Sequence, residues 1–324
     1  MIISRTPFRI SLCGGGSDLP SFYRKHGGCV LSTSINKYMY ISVHPSFQNE
    51  QTILKYSKTE IVDSLDAIEH EYFNVILKQV AVSGVEITST ADIPSGTGLG
   101  SSSSFTVGLL HSLYAYKNRM VSKEYLANEA CKIEIDALGN CIGKQDQYAA
   151  SYGGLKFYTF NKDDSVFVEP IILSVDSIKK LNRNLMLFFV NGEHDAASIL
   201  EKQTKNISIG DGETGQRKIC ALTYELRDRL IRNNIDAVGS ILNENWIIKR
   251  SLAAGISNNY IDRLYQTALD NGALGGKLLG AGGAGFLLLY VPEAKQEQVR
   301  AAMPVKQLDF SFDKQGSSII FVGD

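Results

Sequence analysis

The sequence lacks the features that mark several large classes of protein. Its five cysteines are odd in number and form no Cys-x-x-Cys pair, so we expect neither a disulfide framework nor a structural zinc site. The longest apolar run, near residues 286–291, is far shorter than the roughly 20 residues that cross a bilayer. No basic segment leads into an apolar stretch at the N-terminus, so the sequence predicts no signal peptide, no membrane partner and a cytoplasmic protein.

Charge of one sign is also lacking. With 33 Lys and Arg against 34 Asp and Glu, the formal net charge is -1. Nucleic-acid binders usually carry a basic stripe, so no nucleic-acid partner is expected. The 324 residues are enough for a full hydrophobic core and for two domains of about 100–200 residues each.

Strand and helix patterns follow each other without regular β-α alternation, which favours an α+β architecture over a doubly wound parallel sheet. We expect a pair of strands within 30–43, joined by a turn at Asn36-Lys37. Further strands are predicted at 8–12, 85–91, 155–160, 286–291 and 318–322, and a compact apolar run at 184–190 is expected to start the second half of the chain. Helices are predicted at 101–116, 123–138, 195–205, 215–232, 235–251 and 259–271. A boundary near 165–185 would divide the chain into domains 1–175 and 176–324.

The most informative segment is the loop from Pro94 to Ser104, which reads PSGTGLGSSSS between a predicted strand and a predicted helix. Glycines let a backbone approach a ligand, and a helix start offers free N–H groups, so the loop suits phosphate. It is not a Walker A loop, because no Gly-Lys-Ser/Thr follows, and its glycines do not fit G-x-G-x-x-G. Taken alone, it could also be a flexible loop with a serine N-cap.

Two other glycine clusters, 13–18 and 275–285, leave more than one interpretation open. The cluster 275–285 could be a tight structural turn in which two backbones pack closely, or a wall of a ligand site. The cluster 13–18 could be a ligand-facing loop, or a bulge or turn. Three polar groups are candidates for phosphoryl transfer, which needs positioning, positive charge, Mg²⁺ and a group to orient a hydroxyl. Asp146 could be the base, Glu134 could hold Mg²⁺, and Arg9 could be a cation in a cleft or an exposed strand charge.

Three motifs in order resemble those of the GHMP kinases and cover nearly the whole chain. The first runs from Arg5 to Asp18, the second is the loop 94–104, and the third is 277–285. Within the superfamily the resemblance is closest to the D-glycero-D-manno-heptose 7-phosphate kinases, supported by 143–148, by Trp246 with Lys249, and by 272–286. It implies a ribosomal protein S5-like N-terminal domain, a ferredoxin-like C-terminal domain and an active site between them.

The resemblance also implies roles for individual residues. Asp146 would be the catalytic aspartate and Arg9 would stand at the position of a catalytic Lys or Arg, while Ser102 and Glu134 would be Mg²⁺ ligands. ATP would be held by Pro94, Gly96, Gly98, Leu99, Gly100, Ser101, Ser102, Ser103 and Ser104. The sugar would be held by Gly15, Gly16, Ser17, Asp18, Gly282 and Gly283.

The implied reaction is transfer of the ATP γ-phosphate to the anomeric hydroxyl of a heptose 7-phosphate, for a bacterial surface polysaccharide. A fucokinase-like sugar kinase and a non-catalytic sugar and nucleotide sensor are the alternatives. One departure concerns the substrate: the family leads us to expect an arginine at the start of the second domain, where this chain has 191–195 without one. Arg24, Lys25 and His26 are alternative phosphate contacts, and a homodimer is a further expectation.

Overall fold

The structure is a computed structural model, and it describes residues 1–47, 50–190, 196–207 and 210–323. Thirteen strands lie in these ranges: β1 Ile2–Cys13, β2 Gly28–Pro45, β3 Thr52–Lys55, β4 Thr59–Val62, β5 Val85–Ala91, β6 Leu155–Phe160, β7 Val166–Pro170, β8 Leu185–Val190, β9 Gly275–Leu278, β10 Gly285–Tyr290, β11 Gln307–Leu308, β12 Phe312–Asp313 and β13 Ser318–Val322.

Eleven α-helices lie in the same ranges: α1 Pro20–His26, α2 Glu71–Val80, α3 Ser101–Tyr116, α4 Lys123–Cys131, α5 Gln145–Tyr152, α6 Val175–Asn184, α7 Ala196–Asn206, α8 Gly210–Ile231, α9 Ala237–Ser251, α10 Asn259–Asp270 and α11 Gln296–Ala302. None of the helices described is long and apolar enough to span a membrane.

A nine-stranded sheet is built around the long strand β2. Its main order is β13-β1-β2-β5-β3-β4, and β2 also pairs with β6 and β12. The expected turn at Asn36-Lys37 is wrong, because 28–45 form one strand that changes partners along its length. The polar Asn36 forms two hydrogen bonds with the backbone of Ser311. Its backbone N–H donates to Ser311 O at 2.8 Å, and its side-chain oxygen accepts from Ser311 N.

A second, four-stranded antiparallel sheet has the order β11-β8-β10-β9. The chain therefore changes sheets between Pro170 and Leu185, inside the interval predicted for a boundary. The last two strands return to the first sheet, where β13 pairs with β1 and β12 pairs with β2. The division into 1–175 and 176–324 stays a prediction, and this return shows that the first sheet needs residues from both ends of the chain.

The mixed α and β content agrees with the predicted α+β class. The helix α3 packs against β1 and β2, and most of its side chains are buried on every face. The predicted helix 123–138 is α4 followed by a π-helical segment, Lys132–Ala137. Asp146 follows this segment and lies in the first turn of α5, where a carboxylate interacts favourably with the helix dipole.

His111 on α3 contacts the returning C-terminal segment and generates a stability prediction. Its Nδ1 lies 3.0 Å from Ser317 Oγ, which in turn lies 2.9 Å from Thr6 Oγ1. Burial, with a smaller contribution from Lys123, lowers the pKa of His111 from 6.5 to about 4. The folded state thus stays neutral between these two pH values while the unfolded state takes up a proton, so stability falls as pH falls through this window.

We predict that lowering the pH from 7.5 to 4.5 destabilises the wild-type protein by about 2 kcal/mol more than the His111→Gln variant, which cannot titrate there. The measurement is the midpoint of urea unfolding at the two pH values for both proteins. An identical pH dependence would show that His111 does not contribute.

Candidate active site

Two cavities meet in the cleft between the sheets, and they share part of their walls. The smaller one, of about 130 Å³, is lined mainly by polar residues of β1, the loop after it, α5, α7, α9 and β9. The larger one, of about 1160 Å³, extends over the loop 94–100 and the rings of Tyr56, Tyr72 and Phe105. Both include Arg9, Ser102, Ile142, Asp146, Leu200, Gly280 and Ala281 in their walls.

An ion pair between Arg9 and Asp146 lies on this shared wall. Arg9 Nε donates to Asp146 Oδ1 at 2.7 Å, and Nη2 donates to Oδ2 at 2.6 Å. The third donor, Nη1, reaches Gly98 O at 2.6 Å. Gln145 Nε2 also donates to Oδ1, at 2.8 Å, and Ser11 Oγ donates to Gln145 Oε1 at 2.7 Å. A bidentate pair of this kind fixes both side chains in one geometry.

The glycine-rich loop ends at the start of α3. Gly96, Gly98 and Gly100 all have a positive φ, and Gly100 is the left-handed N-cap residue of the helix. The first amide with an intrahelical acceptor is that of Ser104, which donates to Gly100 O at 3.0 Å. The preceding amides of the first turn therefore remain free to donate to an anion at the cavity wall.

The second and third glycine motifs pack backbone against backbone. A Cβ on Gly98 would lie 2.7 Å from Leu279 O, and a Cβ on Gly280 would lie 2.6 Å from Gly98 Cα. Gly285 approaches Thr97 O in the same way, with a Cβ distance of 2.5 Å. Of the two interpretations left open for the third cluster, close backbone packing applies to Gly280 and Gly285, and Gly280 also lines both cavities.

Glu134 lies behind the start of α3, on the π-helical segment. It is fully buried, and its Oε2 accepts from Ser103 Oγ at 2.7 Å and from Gln147 Nε2 at 2.6 Å. Burial raises its pKa to about 7, while Ser103, Gln147 and Ser102 lower it. Its other oxygen, Oε1, has no hydrogen-bond partner among the described residues.

This unpartnered carboxylate oxygen fits a divalent cation held together with Ser102, whose position borders both cavities. In the described part of the chain, His, Cys, Asp and Glu side chains form no group of three around a common point. A site with one carboxylate suits Mg²⁺, which usually keeps several waters and binds phosphate oxygens as well.

Asp18 lines the smaller cavity. Its Oδ1 accepts from Gly16 N at 2.9 Å and its Oδ2 accepts from Gln145 N at 3.1 Å. Burial and the charge of Asp146 raise the pKa of Asp18. The position of Asp18 also requires a glycine at 143, because a Cβ there would overlap the Asp18 carboxylate.

Not every predicted site residue reaches a cavity wall. The exceptions are Glu134, Ser17, Leu99, Ser104, Gly282 and Gly283, so the predicted Mg²⁺ ligand Glu134 lies behind the wall that Ser102 and Ser103 form. Ser17 and Ser104 bond to backbone groups in the interior, and Leu99 is buried. Gly282 packs against Ile256, where a Cβ would lie 2.6 Å from the backbone. Gly280 and Ala281 take the place at the wall that the prediction gave to Gly282 and Gly283.

The basic residues considered as phosphate contacts also lie elsewhere. Arg24 pairs with Asp164 at 3.0 Å and His26 lies beside Glu213. Neither they nor Lys25 line the two cavities. The segment 191–195, which lacks the arginine that the family resemblance led us to expect, falls outside the described residues.

Sequence reasoning missed several polar residues of the smaller cavity, namely Ser11, Gln145, Gln203, Lys249 and Lys277. Gln145 adjoins Asp146, and Lys249 and Lys277 stand in stretches that carried the family resemblance. Their closeness to the family motifs could therefore have marked these three as site candidates. Nothing in the sequence, however, indicated that five different elements bring the five residues together.

Comparison with known proteins identifies the family to which the chain belongs. Residues 56–154 match the GHMP kinases N terminal domain and residues 226–307 match the GHMP kinases C terminal, together more than half of the chain. With the fold and the site, these matches define a phosphotransferase with an alcohol group as acceptor. The chain belongs to the GHMP kinase family.

Individual relatives cover nearly the full length. The chain is 29% identical over 331 residues to the D-glycero-alpha-D-manno-heptose 7-phosphate kinase of Campylobacter jejuni, covering 97% of each. It is 26% identical to the bifunctional fucokinase/GDP-fucose pyrophosphorylase of Arabidopsis thaliana, over 90% of this chain and 30% of that protein. The crystal structure of a D-glycero-D-manno-heptose 1-phosphate kinase from Bacteroides thetaiotaomicron superposes with a TM-score of 0.82 at 24% identity, covering 100% of each chain, and shows the shared fold.

The contact between the glycine motifs generates a prediction with a matched control. Gly98→Ala should lower the stability of the ligand-free protein by about 3 kcal/mol, because it adds a steric overlap to a left-handed backbone. Gly96→Ala should cost only about 1 kcal/mol, because Gly96 shares the positive φ and a Cβ there meets nothing within 4 Å. Thermal unfolding of the two variants measures this, and equal losses would contradict the packing account.

Proposed function

We propose that this protein transfers the γ-phosphate of ATP to the anomeric hydroxyl of D-glycero-D-manno-heptose 7-phosphate, giving the 1,7-bisphosphate. One observation carries the proposal: the Arg9–Asp146 pair lies where the two cavities meet. A phosphoryl group must pass between two molecules, so the residues common to both cavities are the ones that can act on it. The Campylobacter relative named a heptose 7-phosphate kinase supports this acceptor.

The larger cavity is the proposed ATP site. Tyr56, Tyr72 and Phe105 offer ring faces for the adenine, and the loop of Gly96, Gly98 and Gly100 leads from these rings to the start of α3. The free amides of Ser101, Ser102 and Ser103 would then donate to the phosphate oxygens. Mg²⁺, when held by Ser102 and Glu134, would offset the negative charge of those oxygens.

Asp146 is the proposed partner of the acceptor hydroxyl. A carboxylate has about four lone-pair directions, and Arg9 with Gln145 occupies three of them, two on Oδ1 and one on Oδ2. The remaining direction on Oδ2 can accept the hydroxyl proton. This oxygen is also close to the start of α3, since a Cβ on Gly100 would lie 3.2 Å from it. The acceptor oxygen and the phosphate would thus be held side by side.

Arg9 stabilises the phosphoryl group during transfer. A guanidinium has five N–H donors, and Asp146 with Gly98 O uses three of them. Two donors remain for the oxygens of the transferring group, at a point where the charge becomes spread over them. The buried setting of Arg9, which is 5% exposed, strengthens this interaction.

The smaller cavity is the proposed acceptor site, with Asp18, Gly15 and Gly16 holding sugar hydroxyls. Asp18 keeps its carboxylate fixed by two backbone amides, so a sugar hydroxyl meets an acceptor in a defined place. A fucokinase-like activity on a free sugar is the second candidate, supported by the relative that contains a fucokinase.

The test is ADP release in a coupled assay with Mg·ATP. The acceptors are D-glycero-D-manno-heptose 7-phosphate, the corresponding 1-phosphate, the free heptose, fucose, galactose and mannose, with an EDTA control for the divalent cation. We predict turnover with the 7-phosphate well above all others, and a new phosphorus resonance in the NMR spectrum coupled to the anomeric proton. Turnover with fucose instead would favour the second candidate. Transfer of the new phosphate to C7 of the heptose 1-phosphate or of the free heptose would contradict transfer to the anomeric position.

A further inference from the structure

Two lysines form part of the wall of the smaller cavity, and the mechanism above does not use them. Lys249 lies on α9 and Lys277 on β9, and they are only 5% and 2% exposed. Both line the smaller cavity and neither lines the larger one. Their positive charges are therefore offered to the acceptor rather than to the nucleotide.

Neither lysine has an acidic partner among the residues that the structure describes. Lys249 Nζ donates to Gly280 O at 2.6 Å and to Leu278 O at 3.3 Å. Lys277 Nζ makes a longer contact, 3.4 Å, to Leu12 O. An ammonium group has three donors, so Lys277 in particular keeps hydrogen-bonding capacity for a ligand.

The charged groups of the smaller cavity leave these lysines without an ion pair, although the charge of Asp18 raises the pKa of both. Arg9 and Asp146 satisfy each other, and both carboxylate oxygens of Asp18 already accept backbone amides. Burial lowers the pKa of Lys249, with further lowering by Lys277, and burial lowers the pKa of Lys277 to about 8. Two buried ammonium groups with no ion-pair partner among the described residues are costly, and an anionic ligand would offset that cost.

We infer that Lys249 and Lys277 bind the phosphate group that the acceptor sugar already carries. The inference deepens the proposed function and rests on it for the choice of sugar. It makes the smaller cavity selective for a phosphorylated sugar, because a free sugar would leave both ammonium groups buried without an anionic partner. It also supplies the phosphate contacts that Arg24, Lys25 and His26 do not provide.

The first test uses the wild-type protein alone. It compares kcat/KM for D-glycero-D-manno-heptose 7-phosphate with kcat/KM for the same heptose without phosphate, at saturating Mg·ATP. Two charge-assisted contacts predict a preference for the phosphorylated sugar of at least about 100-fold. Equal kcat/KM values for the two heptoses would overturn the inference without any variant.

The second test repeats the comparison with Lys249→Met and Lys277→Met, which keep the length of the side chain and remove its charge. Each should lower kcat/KM for the heptose 7-phosphate by roughly 10- to 100-fold, mainly through KM. For the free heptose and for ATP, each should stay within about threefold of wild type. A loss of the same size on both heptoses would assign the lysines a structural role and overturn the inference.

Lys144→Met is the matched control. Lys144 adjoins Gly143 and Gln145 in sequence, but its Nζ donates to Asp164 O at 2.8 Å and it lines neither cavity. Its kcat/KM for the heptose 7-phosphate should stay within about threefold of wild type.

The same experiments separate failure of this inference from failure of the proposed function. If heptose 7-phosphate is a good substrate and the lysine variants match wild type, the inference fails and the proposed function stands. If another phosphorylated sugar is the substrate and the variants lose activity on it selectively, the lysine site stands and the heptose assignment fails. Activity on free sugars alone overturns both.

Discussion

The guanidinium of Arg9 holds together the three segments on which the active site depends. It lies on β1, pairs with Asp146 at the start of α5, and donates to Gly98 O in the glycine-rich loop. The backbone amide of Arg9 adds a fourth link, a 3.1 Å hydrogen bond to Leu99 O. One buried cation therefore sets the distance between the carboxylate proposed to orient the acceptor and the loop proposed to hold the nucleotide.

The glycine motifs extend this arrangement to the second sheet. Because Gly98 and Gly280 touch without side chains between them, the wall at Gly280 and Ala281 lies directly against the glycine-rich loop. The smaller cavity takes Lys249 and Lys277 from the same half of the chain. In the proposed mechanism the two parts of the fold thus contribute different chemistry: the first supplies the phosphoryl-transfer groups, and the second supplies charge on the acceptor side.

Much of this could be predicted from the sequence, because the motifs are local. The strand–loop–helix unit around 94–104 follows from glycine spacing and apolar periodicity, and its predicted helix 101–116 is confirmed. Long-range partners could not be predicted in the same way. Asn36 seemed to mark a turn because its partner, Ser311, is 275 positions away. Gly282 could not be told from Gly280 by sequence, since only packing against Ile256 separates their surroundings.

The most direct test of the central claim is the turnover of Asp146→Asn, which keeps the size of the side chain and removes the charge that orients the acceptor. We predict a fall in kcat of at least about 100-fold, with the dissociation constant for ATP within about threefold of wild type. Asp163→Asn, an exposed carboxylate bonded to Ser165, is the control and should retain full activity. Near-normal turnover of Asp146→Asn would contradict the account, because phosphoryl transfer would then not depend on the pair shared by the two cavities.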